Sequence, residues 1–320
     1  METYENKEMQ TSENKEMQTP ENKEMQTPEN KEMQTPENKE MQTPENKEMQ
    51  TSEYQGMHVP ENRSTHNPAL KNIGLYLIIP ILAIAFAEFM IYSGRVLEAM
   101  EVHAVILLGL SLSMLYIKNE EIQKTYQALI LLPILRLVNL SMPAFYEETL
   151  YSFVFIYGLL TIPVTIALTH QGFSRERLGI TFKRIGFYIP LSIIMGLLLG
   201  IGEYLIIEAN YLIPDLSVSY LLILTFIMVF LVGLIEEIIF RSILQNRLEE
   251  FLGSREGLII TSVLFGLMHS GYGSMGEIFY TSFVGFIIGF MFYRTRSLPL
   301  VTMIHGFINV FLFGVIPHLL

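Results

Sequence analysis

The stretch LVGLIEEIIFRSIL, residues 231–244, sets two adjacent carboxylates and an arginine inside a long apolar run. A charged side chain at the centre of a membrane helix costs roughly 2.5–3.5 kcal/mol on insertion scales. Three of them within six positions therefore require a compensating structure or a function. At about 100° per residue, Glu237 and Arg241 lie four apart on one helix face, where an ion pair can form. Glu236 is turned away from that pair. A buried salt bridge that fixes helix packing accounts for Glu237 and Arg241 but leaves Glu236 unmatched.

Outward from this stretch the chain is a series of apolar segments, each near the length that crosses a bilayer. They fall at roughly 73–93, 102–117, 126–142, 150–169, 186–207, 217–240, 257–270, 276–293 and 299–316. The second, third and seventh are short or carry polar residues. The expected fold is all-α: a polytopic transmembrane bundle of about eight or nine spans behind a disordered N-terminal tail.

The tail is a repeat. ENKEMQT followed by Ser or Pro begins at Glu5, Glu13, Glu21, Glu29, Glu37 and Glu45, and a decayed copy, EYQGMHVP, begins at Glu53. Proline closes most copies and stops any helix running through them. One Met per repeat gives no apolar stripe to bury. A solvated, disordered arm is expected, without chemistry of its own. The net charge of −11 is mostly local to it. Residues 1–63 hold 15 acidic and 7 basic side chains, and the remaining 257 hold 17 and 14. The acidity therefore says little about substrate.

Cysteine is absent, which excludes disulfides, thiolate nucleophiles, Cys–zinc sites and iron–sulfur clusters. No nucleic-acid partner is expected. Met1 leads into ETYENKEMQ, with neither a basic start nor an apolar core, so insertion is expected to rely on the first span. With the tail inside and the spans alternating, the inner segments carry Arg63, Lys71, Lys118, Lys124, Arg175, Arg177, Lys183, Arg184, Arg247, Arg255, Arg294 and Arg296. The outer loops hold only Arg95 among bases, with Glu147, Glu148 and Asp215 among their acids. The positive-inside rule favours this orientation, with a cytoplasmic N-terminus.

Two further polar insertions follow the opening stretch. SVLFGLMHSGYG places His269 near the end of one span, and VTMIHGFINVFL places His305 and Asn309 four apart on one face of another. A lone His is more often a packing residue, and an Asn can be interhelical glue. With Glu236 they form a set spread over three helices. At 1.5 Å per residue, the four positions reach comparable depths from the cytoplasmic side, roughly 10–18 Å, so a shared cavity open to the cytoplasm is geometrically available. A carboxylate beside imidazoles can deprotonate water, and a His and an Asn four apart can donate to a developing oxyanion. Alternatively, His269, His305 and Glu236 could hold Zn²⁺ with one position open for water. Both routes end in hydrolysis of an acyl bond, most naturally a peptide. A transporter or metal-ion carrier would use the same buried groups, although residues 73–200 show no second copy of the pattern. A non-catalytic immunity protein on the same fold is a third reading.

EEIIFR fits E-E-x-x-x-R, FGLMH fits F-x-x-x-H and HGFIN fits H-x-x-x-N, in that order. In these motifs the chain resembles the CAAX-protease and bacteriocin-processing (CPBP, or Abi) family of intramembrane proteases, relatives of the type II CAAX prenyl endopeptidases. The resemblance runs from about Ile185 to Ile316. It implies that Glu236 activates water with help from His269, that His305 and Asn309 support the oxyanion, and that Glu237 and Arg241 organise the site. The family is widely labelled as metalloproteases, but a metal-free glutamate route is also supported for it. The reading here leans toward no zinc. The implied partners are the lipid bilayer and a peptide or protein substrate, with a membrane-associated or prenylated one among the options. Three regions are expected: the tail (1–66), N-terminal membrane helices (67–184) and a catalytic membrane domain (185–320). Glu88, Arg136, Glu203 and Glu208 fit no motif, and Glu88 with Arg136 is a candidate interhelical pair. His103, His170 and His318 are expected near span ends.

Overall fold

The computed structural model describes residues 68–141 and 149–320. The repeat tail with its His58 and His66, the cation Arg63, and Glu147 and Glu148 lie outside the described residues. Among those described there is no strand, and nine long helical segments follow one another at the positions read from the apolar runs. These are α1 (Pro68–Tyr92), α2 (Val96–Tyr116), α3 (Glu120–Ser141), α4 (Leu150–Gln171), α5 (Ile185–Ile207), α6 (Val218–Leu252), α7 (Ser254–Leu267), α8 (Met275–Thr295) and α9 (Leu298–Leu319).

Six of these, namely α2, α4, α5, α6, α8 and α9, are long and apolar enough to cross a membrane. In α1 the described apolar stretch is the shorter Tyr76–Tyr92, α3 begins with Glu120 and Glu121, and α7 has only 14 residues. The expectation of eight or nine spans is therefore approximate. Helices bond their backbone groups within the segment, which is what a hydrocarbon environment demands. Large apolar side chains such as Leu97, Leu115, Phe187, Leu205 and Phe279 project outward, as lipid-facing positions do.

α9 is the centre of the bundle. In its most apolar window 67% of residues are buried, against 22% in α2 and α5. It packs closely on two helices through glycines. A Cβ built on Gly306 would come 2.6 Å from the Val229 Cα, and one on Gly196 of α5 would come 2.9 Å from the Phe307 carbonyl carbon. Small residues at such crossings let backbones approach in the absence of a strong hydrophobic drive between helices.

The basic loop between α4 and α5 is tied to the ends of α6 and α9. Ser242 Oγ donates to Leu178 O at 2.7 Å, Asn246 Nδ2 to Arg177 O at 2.9 Å, and Leu298 N to Gly179 O at 2.7 Å. The buried Arg247 bonds to Gln171, Glu121 and Glu250. These bonds pin the C-terminal part of α6 and so fix the direction from which the opening stretch enters the bundle.

Candidate active site

α6 is not uniform. A single α-helical turn, Leu234–Glu237, lies between two π-helical segments, Ile227–Gly233 and Ile238–Gln245. The wider i→i+5 turns shift side-chain register, and such insertions recur at functional sites. Here they bracket the two glutamates.

Glu237 is fully buried and both of its oxygens are engaged. Arg241 Nε donates to Oε2 at 2.9 Å, and His305 Nδ1 lies 2.9 Å from Oε1. Arg241 is equally buried, and its guanidinium stacks 5.0 Å over the Phe265 ring. The spacing of four thus forms the pair expected from the sequence, and the pair reaches α9 through His305.

Glu236 is placed differently. It is half-buried, and Tyr157 of α4 donates its phenolic hydrogen to Oε1. Its Oε2 stands 3.9 Å from His305 Nε2, beyond direct hydrogen-bond distance. One oxygen is held and the other is left available at the histidine.

His269 lies two residues past the end of α7 at Leu267, in a turn that opens a short 3₁₀ segment, Ser270–Tyr272. Its Nδ1 lies 2.9 Å from the Phe265 carbonyl. A carbonyl only accepts, so Nδ1 carries the hydrogen, and in the neutral ring Nε2 carries the lone pair. Phe265 links the two imidazoles: its ring centroid is 5.1 Å from that of His269 and 5.6 Å, edge-on, from that of His305. Asn309 is half-buried one turn beyond His305 on α9. The fold therefore gathers Glu236, Glu237, Arg241 and His305 by direct contact, adds His269 through Phe265, and sets Asn309 next along α9.

These side chains do not fit a metal. Among the described residues no three His, Asp or Glu side chains form a group able to ligate an ion. No chemical step is routed through zinc here.

Several neighbours of the site escaped the sequence reading. Tyr157 looked like one more aromatic residue in an apolar span. Glu88 and Arg136 do pair, with Nε donating to Oε1 at 2.9 Å. His103, expected at an interface near a span end, is instead fully buried, with Nε2 3.2 Å from Glu88 Oε1. α2 starts at Val96, which puts His103 two turns inside the helix. The cost of a lone arginine inside a span was the available signal, because it demands a partner.

Comparison with known proteins bears on the same region. Residues 218–311 match the family described as Type II CAAX prenyl endopeptidase Rce1-like. The match opens at the first residue of α6 and closes within α9, so it contains all six motif positions and leaves out α1–α5. It covers less than a third of the chain. Neither the curated proteins nor the solved structures gave a match. At the level of the family, the Rce1-like region supports a CAAX-type intramembrane protease in an integral membrane protein, acting on a peptide or protein.

Proposed function

We propose that this protein is an intramembrane endopeptidase in which Glu236 activates the attacking water. The observation that carries this reading is the contrast between the two adjacent glutamates. Glu237 is saturated by Arg241 and His305, whereas Glu236 keeps Oε2 available, 3.9 Å from the His305 imidazole. A water on Oε2 gives up a proton as it attacks the scissile carbonyl, and that proton passes to the leaving amine. His269 assists by accepting from the same water through Nε2. His305 in its doubly protonated form, with Nδ1–H directed to Glu237, donates through Nε2–H to the oxyanion as it forms, together with Asn309. Arg241 holds Glu237 in place through its bond to Oε2.

The catalytic unit in this reading runs from residue 185 to 320, and its cavity opens toward the cytoplasm, the side of the basic loops. The test is mass-spectrometric mapping of new protein termini in cells that carry wild-type protein or Glu236→Ala. Termini that vanish in the variant while it remains inserted and folded support the assignment. An active alanine variant removes it.

A further inference from the structure

The turn that carries His269 is held on both sides by residues outside the matched region. Arg136 Nη2, from α3, donates to the carbonyl of Met268 at 2.6 Å. Ser270 Oγ, on the other side of the histidine, donates to Glu88 Oε2 of α1 at 2.7 Å. Glu88 and Arg136 then close on each other through a two-point ion pair. Glu88, Arg136, Ser270 and the adjoining His103 are all buried.

This arrangement has a physical reason. The 14 residues of α7 rise about 21 Å, short of the ~30 Å hydrocarbon layer. The chain leaves helical geometry after Leu267, and irregular backbone at membrane depth persists only where protein satisfies it. A guanidinium can do this while paired, because its fork bonds a carboxylate and a carbonyl together. The two ties land on residues 268 and 270, and the imidazole between them is fixed again by its own bond to Phe265 O. Packing alone would not require the ion pair to grip both flanks of one side chain.

We propose that Glu88 and Arg136 are positioning residues for His269, so that α1 and α3 complete a site whose chemical groups lie on α6, α7 and α9. The inference rests on the protease reading above. It places part of the catalytic support in the part of the chain that precedes the family match. Displacing a catalytic group by about 1 Å costs on the order of 100-fold in rate, and a loss of that kind falls on kcat rather than KM.

Arg136→Ala strands Glu88 as a buried unpaired charge and is expected to unfold, so two milder variants carry the test. Arg136→Lys keeps the charge but loses the fork, and Ser270→Ala removes only the second tie. With full-length protein in lipid nanodiscs and a peptide that the wild type cleaves, each variant is expected to stay folded. Each should lower kcat by about 10–100-fold with KM within about twofold. In a His269→Ala background the same substitutions should change the residual rate by less than about twofold, since their effect runs through the missing imidazole. Unchanged kcat, or an equal loss without His269, overturns the proposal. A second readout needs no activity: the rate at which diethyl pyrocarbonate acylates His269, followed by mass spectrometry, should change severalfold in Arg136→Lys. If wild type and Glu236→Ala both cleave nothing, the protease reading fails while this rate still decides the positioning role. An unchanged rate rules that role out.

Discussion

Tyr157 of α4 donates its hydroxyl hydrogen to Oε1 of Glu236 on α6, across 79 residues of sequence, and so fixes which carboxylate oxygen stays available. Tyr157 is itself buried. A hydrogen bond to a charged group is worth about 1.5–3 kcal/mol. Tyr157→Phe keeps the ring and its packing and removes only that bond. The expected outcome is a fall in kcat of about 10–100-fold with the folded state retained. Steady-state cleavage and thermal unfolding of the same sample check both parts, and a fully active phenylalanine variant would show that Glu236 is held in place by other means.

The two adjacent glutamates should separate activity from stability. Glu236→Gln keeps the shape of a half-buried group and removes its basicity, so cleavage disappears while the unfolding temperature holds. Glu237→Gln leaves Arg241 without its carboxylate in a fully buried setting. Breaking such a pair from one side costs about 3–5 kcal/mol, so this variant should unfold at much lower temperature and lose activity with it. Thermal unfolding in detergent distinguishes the two; equal stability of both variants would contradict the division of roles.

The sequence was informative where the physics is local. Charge inside an apolar run is expensive at each position, so Glu236, Glu237, Arg241, His269, His305 and Asn309 stood out without reference to their neighbours, and the spacing of four in Glu237–Arg241 predicted its own contact. What joins distant helices left a weaker mark: the cost of buried charge made Glu88 and Arg136 a candidate pair, but nothing tied either to Ser270. The ion pair between Glu88 and Arg136 spans 48 residues, and the bond between Ser270 and Glu88 spans 182. No periodicity encodes either partner. His103 was misplaced because the polar residues Glu98 and Glu101 delayed the expected start of α2, which begins with them inside the helix. The π-helical segments at Ile227–Gly233 and Ile238–Gln245 have no composition that marks them in the sequence.

Chelation should leave the reaction intact. Among the described residues no three His, Asp or Glu donors stand together as a ligand group. Extended dialysis against a strong chelator, followed by metal analysis and an activity assay, is expected to return metal-free protein at full rate. Stoichiometric zinc that disappears with His269→Ala or His305→Ala, together with loss of activity on its removal, would require a rearranged donor set.

Gly306 tests whether the approach of α9 to α6 creates the Glu237–His305 contact. It directly follows His305, and a Cβ there would meet the Val229 Cα at 2.6 Å and the Met228 carbonyl oxygen at 3.0 Å. Both are backbone atoms, so no side-chain rotation relieves the clash and the helices must separate. Gly233 faces the same crossing, with the Thr302 carbonyl oxygen 3.0 Å from its own notional Cβ. Overpacking of this kind costs about 1–3 kcal/mol. At this position it also lengthens a 2.9 Å contact between His305 Nδ1 and Glu237, because the imidazole sits on the adjacent residue. Gly306→Ala should therefore lower the unfolding temperature moderately and reduce kcat by more than the stability loss accounts for. As a control, Gly109→Ala on α2 meets nothing within 4 Å and should leave both unchanged. If the two alanine variants behave alike, the close crossing is not what holds His305 against Glu237.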